Sequence, residues 1–473
     1  MSIRKNVVNN FVLQFVSLLM PLVTLPYVTR TLNKKDFGRI TFVDAFIQYF
    51  IIFAMLGVPF YGLREIAKVK DDIERRCQIT KELVVLNFSL AILCMLLFLS
   101  VSFFIPVLKS DFNLVIIGCM TLLSYSFMIE WYFQGVENFS FITKRGIFFK
   151  LAYTISIFLF VKSESDYVLY YLLTCLLIFG NALVNFLFFL KSNSISSFSV
   201  YPKSLLIHIK PLMVLFSINV SVSVYTILDT IILGLFKSPV HVANYAIALR
   251  FVKVYWTLMA AIGIVLMPKV SAMFSQGDHS GVVDVLSKSR DVVYLLSIPF
   301  GFFCFIFPNE VLNFLFGPQY NATDVLRVLA FAPVIIGICN VFGTQFLLPI
   351  GKEKHILRAT IYGLVVSLGF NFVLDPIIGD VGASIACIVA ESTVCIYIVV
   401  KAQRYVRLNF NLKLICEIIL CLFVSTLFGY LLGAQFGLNK LILSVLLYAV
   451  VFLFSSVFVF KNRIIISIIY FNR

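Results

Sequence analysis

The sequence predicts an all-α polytopic membrane protein of about fourteen transmembrane helices, arranged as two parallel six-helix repeats plus two C-terminal helices. Composition is the first reason: 61% of the 473 residues are apolar and only 13% are charged, against about 45–50% and about 25% in soluble chains. Segmentation is the second, because the apolar residues gather into windows of roughly 20, the number a helix needs to cross hydrocarbon. The third is that the first six windows recur, in order, as the next six. A mean hydropathy of +1.00 excludes a soluble enzyme, a secreted disulfide scaffold and a disordered chain.

The first window, 8–29, follows Arg4 and Lys5 as a signal peptide would. It runs on through Pro21 and Pro26 with no small-residue cleavage site, so it reads as a retained span. Windows 40–62, 83–108, 114–134, 146–161 (the shortest) and 167–190 complete a bundle over residues 1–200. Windows 212–236, 243–267, 292–316, 325–350, 356–374 and 381–400 form a second bundle over 201–401, and 414–434 and 441–460 close the chain within 402–473. Pro59, Pro299 and Pro333 fall in later windows, where prolines free carbonyls and bend helices.

The formal charge is +15, which in a soluble chain would raise nucleic-acid binding. Here it is a topology signal, because cytoplasmic loops collect Lys and Arg. Of the 38 such residues, 27 fall on the side assigned to the cytoplasm, including Arg64, Lys68, Lys70, Arg75, Arg76 and Lys81 in one loop and Lys144, Arg145 and Lys150 in another. Nine fall opposite, placing both termini in the cytoplasm and requiring an even number of spans. Ten cysteines without a C-x-x-C pair read as small buried hydrophobes, and four scattered histidines offer no metal-ligand spacing, so neither a metal nor a cofactor is expected. The longest connectors, 191–210 and 267–291, are too short to be catalytic domains, which argues against an enzyme.

A shift of 206 residues aligns Gly57 with Gly263, Asp72 with Asp278, Glu82 with Lys288 and Asp44 with Arg250; a shift of 216 aligns Gly135 with Gly351 and Glu137 with Glu353. Six spans per repeat keep both halves in the same orientation, as in transporters whose halves rock around a central site.

Leu25-Pro26-Tyr27-Val28-Thr29-Arg30-Thr31-Leu32, Asp36-Phe37-Gly38 and Gly62-Leu63-Arg64-Glu65-Ile66-Ala67 resemble the opening of the polysaccharide-transport branch of the multidrug/oligosaccharidyl-lipid/polysaccharide exporter superfamily. Glu130-Trp131-Tyr132-Phe133-Gln134-Gly135-Val136-Glu137 resembles its fourth-span exit; Leu347-Leu348-Pro349-Ile350-Gly351-Lys352 and Asp380-Val381-Gly382-Ala383-Ser384-Ile385-Ala386 resemble its tenth and twelfth spans. The similarity covers roughly 1–401 and is greatest to Wzx-type O-antigen flippases. It implies V-shaped, alternating-access bundles that move an undecaprenyl-diphosphate-linked oligosaccharide across the bacterial inner membrane, among membrane lipids and ahead of polysaccharide polymerase machinery. Coupling to an H⁺ or Na⁺ gradient is implied too. Many members have twelve spans; the two extra here are a departure that lipid II flippases of the same superfamily share.

A charge near the bilayer centre costs about 2.5–3.5 kcal/mol on insertion scales, so retained ones face a cavity or a partner. Arg250 and Lys253 lie three apart in the eighth window, hence on one helix face. Two cations so placed either bind the substrate diphosphate or pair with Asp44, Asp229 or Glu130. Arg30, Arg64 and Arg327 are further contacts for diphosphate or glycan, or interfacial anchors. Asp44, Glu130, Asp229 and Glu391, the last with Asn371 and Asp375 near the end of the preceding window, either carry coupling ions or pair within the bundles. Three rivals follow: a lipid II-type flippase; a drug/cation antiporter, disfavoured because the first window holds no acid; and a membrane glycan polymerase or glycosyltransferase, which needs a catalytic loop the chain lacks.

Overall fold

The computed structural model describes residues 3–193, 201–436 and 440–458, and all regular structure there is helical. The first stretch holds α1 (Ile3–Thr31), α2 (Lys34–Met55), α3 (Val58–Lys68), α4 (Ile73–Phe104), α5 (Pro106–Ser110), α6 (Phe112–Tyr125), α7 (Glu130–Gly135), α8 (Phe139–Phe160) and α9 (Tyr167–Ser192). The second holds α10 (Pro202–Phe236), α11 (Pro239–Ser275), α12 (His279–Ile306), α13 (Pro308–Phe316), α14 (Thr323–Leu329), α15 (Ala332–Phe342), a π-helical turn at Gly343–Leu347, α16 (Glu353–Ile378), α17 (Asp380–Ala402) and α18 (Leu412–Phe436). The last is α19 (Lys440–Phe458).

The fourteen apolar windows fall mainly on helix, with breaks at 56–57, 105, 126–129, 307, 330–331 and 348–350; residues 459 and 460 of the last, and Lys461, Arg463 and Arg473 beyond it, lie outside the described residues. Among the described residues, nine helical segments are long and apolar enough to cross a membrane, from Lys34–Lys68 to Leu412–Leu432. Two helices outside that set carry several cations: α8 holds Lys144, Arg145 and Lys150, and α11 holds Arg250, Lys253 and Lys269. The helix that carries the expected fifth span begins at Phe139, seven residues before the window. Helical hydrogen bonding continues back through two cations that resembled a loop.

Helix boundaries follow local chemistry. Asp72 and Asp278, which the 206-residue shift aligned, cap α4 and α12: Asp72 Oδ1 accepts from Arg75 N–H at 2.9 Å and Asp278 Oδ1 from Gly281 N–H at 2.8 Å. The Gly281 N–H and the Ser280 hydroxyl hold the Asp278 carboxyl below its ordinary range. Pro59 and Pro333 sit in the first turn of new helices, α3 and α15, where a missing N–H costs nothing; Pro299 lies inside α12.

The expected 216-residue register is off by two. Glu137 (φ 59°) and Gly351 (φ 71°) hold the same left-handed turn, closed by Asn138 N–H to Phe133 O at 2.8 Å and Lys352 N–H to Leu347 O at 2.9 Å. Gly57 and Gly263 also do different work. Gly57 supplies φ 79° between α2 and α3, whereas a Cβ on Gly263 would fall 2.7 Å from Asn340 Oδ1.

The chain divides into two compact units, Met1–Ala246 and Ile247–Arg473. The first helix of the second expected bundle, α10, packs on α2, α3 and α4 within the first unit. In the second, α16 and α17 pack along their lengths, and α18 joins α12 and α19. Motif glycines permit close contacts in the first unit: a Cβ at Gly38 would lie 1.8 Å from the Pro239 carbonyl oxygen, and one at Gly62 would lie 2.4 Å from the Trp131 ring. Gly38→Ala and Gly62→Ala should each destabilise by about 1–3 kcal/mol, as overpacking does. Thermal unfolding of the detergent-solubilised protein should show the loss, with Gly369→Ala, which meets nothing within 4 Å, near wild type.

Candidate functional site

Polar side chains converge inside the first unit around an interruption in the fourth span. The α-helix stops at Tyr125 and resumes at Glu130, and the Ser126 hydroxyl donates to the Asn87 carbonyl at 3.3 Å. Glu130, placed at the start of α7, pairs with Arg145 Nη2. The Arg145 side chain is 3% exposed and that of Glu130 35%; the guanidinium also lies 5.4 Å from the centre of the Phe141 ring. Lys150, on the same helix, donates to the Ser17 hydroxyl on α1 and feels the Glu130 charge. Asp44 on α2 accepts from Gln48 Nε2 at 2.7 Å, and its field reaches Tyr125 and Tyr171. Two cations and two carboxylates therefore share this interior.

The other expected residues are spread over several helices. Asp229 on α10 is buried and accepts from the Tyr245 hydroxyl at 3.1 Å, joining α10 to the start of α11. In the second unit, Arg250 and Lys253 lie half-buried on α11, three residues apart as expected. Glu391 is buried on α17; Asn371 and Asp375 are buried on α16, with Asn371 Nδ2 donating to Ser367 O at 2.8 Å. Arg30 is exposed in the last turn of α1. Arg64 is largely exposed, 3.1 Å from Glu65, which Lys68 shares at 2.8 Å. Arg327 pairs with Asp324 one turn away at 3.1 Å.

The tenth span carries the counterpart of the fourth-span interruption. A π turn at Gly343–Leu347 replaces α-helical bonding, a feature that often marks functional segments. Within it Gln345 is buried, donates to Asn340 Oδ1 at 3.0 Å and leaves its own Oε1 without a donor. No group of three or more His, Cys, Asp or Glu among the described residues could hold a metal ion.

The polysaccharide biosynthesis protein family matches residues 3–274, more than half of the sequence. The chain belongs to this family. The MatE family also matches, over 215–373. A relative in Escherichia coli (strain K12), provisionally named an O-antigen transporter, is 24% identical over 395 residues, covering 83% of this chain and 95% of its own. Among solved structures, the lipid II flippase MurJ matches with a TM-score of 0.69 at 15% identity over 97% of this chain and 99% of its own. A multidrug resistance MATE family transporter of the MOP superfamily matches with 0.57 at 14% identity over 85% and 98%. The fold is that of polytopic all-α transporters, and the relatives are named as transporters and flippases, not enzymes.

Sequence reasoning missed three features of the site. Arg145 and Lys150 resembled loop cations because they sit close to Lys144. Gln345 gave no periodic signal. Tyr61, His208 and Glu82 come from distant segments: His208 Nε2 lies 2.9 Å from Glu82 Oε2 and Nδ1 lies 2.9 Å from the Tyr61 hydroxyl, fastening α10 to α3 and α4. The Glu130–Arg145 pair yields a direct expectation. Glu130→Gln strands a buried guanidinium and should cost about 3 kcal/mol, the lower end for breaking such a pair because Glu130 keeps some solvent contact. Adding Arg145→Met should recover much of it, read as the unfolding midpoint in detergent.

Proposed function

We propose that the chain is a flippase that moves an undecaprenyl-diphosphate-linked oligosaccharide, the repeat unit of an O-antigen or similar surface polysaccharide, from the cytoplasmic to the periplasmic leaflet of a bacterial inner membrane. The observation that carries the reading is the half-buried pair Arg250 and Lys253 on one face of α11, in a member of a polysaccharide biosynthesis family. Paired cations kept at partial solvation suit a ligand diphosphate, which offers several charged oxygens to guanidinium and ammonium donors. The transporter name of the Escherichia coli relative supports the substrate class.

In this mechanism the diphosphate rests on Arg250 and Lys253 while the glycan passes through a hydrated path and the prenyl tail stays in lipid. Arg64 meets the headgroup on entry, and Arg30 and Arg327 contact diphosphate or glycan towards the opposite face. The bundles open alternately, with both termini cytoplasmic, and the product passes to polysaccharide polymerase machinery. An H⁺ or Na⁺ gradient drives the cycle through buried carboxylates among Asp44, Glu130, Asp229 and Glu391, because such acids serve as ion relays in transporters.

The test is complementation of a cell lacking its own repeat-unit flippase. Arg250→Ala with Lys253→Ala should lower surface polysaccharide by about tenfold or more, the equivalent of losing at least one charge-assisted contact, while Arg250→Lys keeps part of it. Undiminished export by the double variant would remove the diphosphate site. Rescue of a lipid II flippase deficiency instead of export would reassign the substrate.

A further inference from the structure

Four cations gather where α16 begins and α17 ends. Lys352, Arg358, Lys401 and Arg404 all bear on His355 in the first turn of α16, whose ring centre lies 6.4 Å from that of Tyr397. The nearest acid in sequence, Glu353, is exposed. Two of the cations are steadied by rings: Lys352 Nζ lies 5.3 Å from the centre of Tyr405 and Lys401 Nζ 5.3 Å from that of Tyr397. Tyr397 in turn lies 5.3 Å from Tyr362.

The frame that displays them is fixed. The segment after α17, which supplies Arg404 and Tyr405, buries Val406 and Leu408. Arg290 donates to the Asn409 carbonyl, and Asn411 Nδ2 donates to Asp291 Oδ2 at 3.0 Å. His355 Nδ1 is enclosed there without a hydrogen-bond partner. Further along the same two helices Ile361, Tyr362 and Val365 on α16, and Ile396 and Val400 on α17, are exposed.

We propose that this cluster binds the phosphate headgroup of an anionic membrane lipid, whose acyl chains lie along the exposed apolar residues of α16 and α17. Like charges held together on an anchored frame repel unless an anion joins them. Tyrosines at the same level suit the membrane interface, and basic groups beside membrane helices attract anionic headgroups. The apolar residues beyond the cations favour a ligand that carries a hydrocarbon tail over a free phosphate. This site is separate from Arg250 and Lys253, and its test needs no export.

The experiment is native mass spectrometry of the full-length protein released from micelles containing equal phosphatidylglycerol and phosphatidylcholine. Wild type should retain phosphatidylglycerol preferentially. Lys352→Gln with Arg358→Gln and Arg404→Gln should reduce that retention by about tenfold or more, since each cation near a membrane surface contributes roughly fivefold. If the triple variant does not fold, Arg404→Gln alone should show a severalfold reduction. Equal retention of both lipids by wild type, or unchanged preference in the folded variants, would overturn the proposal and leave the cations as topology determinants. Displacement of the lipid by inorganic pyrophosphate would also overturn it, assigning the cluster to free or substrate phosphates.

Discussion

Hydrocarbon offers no water to solvate a charge or an unpaired backbone group, so each must be answered from within the protein. The described ion pairs show how far this reaches. Arg145 on α8 is answered by Glu130 on α7. His208 on α10 sits between Glu82 on α4 and Tyr61 on α3. Arg290 and Asp291 on α12 hold the backbone and side chain of residues 409 and 411. The pairings of His208 and of Arg290 and Asp291 join segments more than 100 residues apart, so satisfying one charge also fixes which helices stand beside each other.

Where helices are not joined by charge they are joined by proximity of backbone. Gly363 on α16 lies so near Val394 on α17 that a Cβ would fall 2.5 Å from its side chain, and Gly382 would meet the Leu374 backbone at 2.7 Å. Between apolar helices in lipid the hydrophobic effect gives no net attraction, so dispersion at such close approaches has to supply it. This explains why α16 and α17 pack so closely while their outward residues, such as Val365 and Ile396, remain exposed.

The helices themselves were legible, because an apolar run of roughly 20 has few alternatives to a membrane helix. The repeat shift also aligned Asp72 with Asp278, but that both cap helices came only from the structure. What escaped was whatever depends on tertiary partners. Lys144, Arg145 and Lys150 resembled a positive loop, and nothing local reveals that Glu130 would draw Arg145 into the interior. Likewise nothing local reveals that His208 would fasten α10 to α3 and α4, or that α10 would pack on α2.

The same constraint separates an enclosed charge from a half-buried one. Arg145 is enclosed, stacked on Phe141 and paired, so exchanging Glu130 for a ligand would require opening the bundle. Arg250 and Lys253 are half-buried on a helix that begins at the end of one unit and continues through the next. A transport site has to bind and release an anion in turn, which demands cations that stay within reach of water, since full burial would make either step prohibitively slow. Within the proposed cycle, partial exposure is therefore the property that favours the α11 pair over the enclosed Arg145.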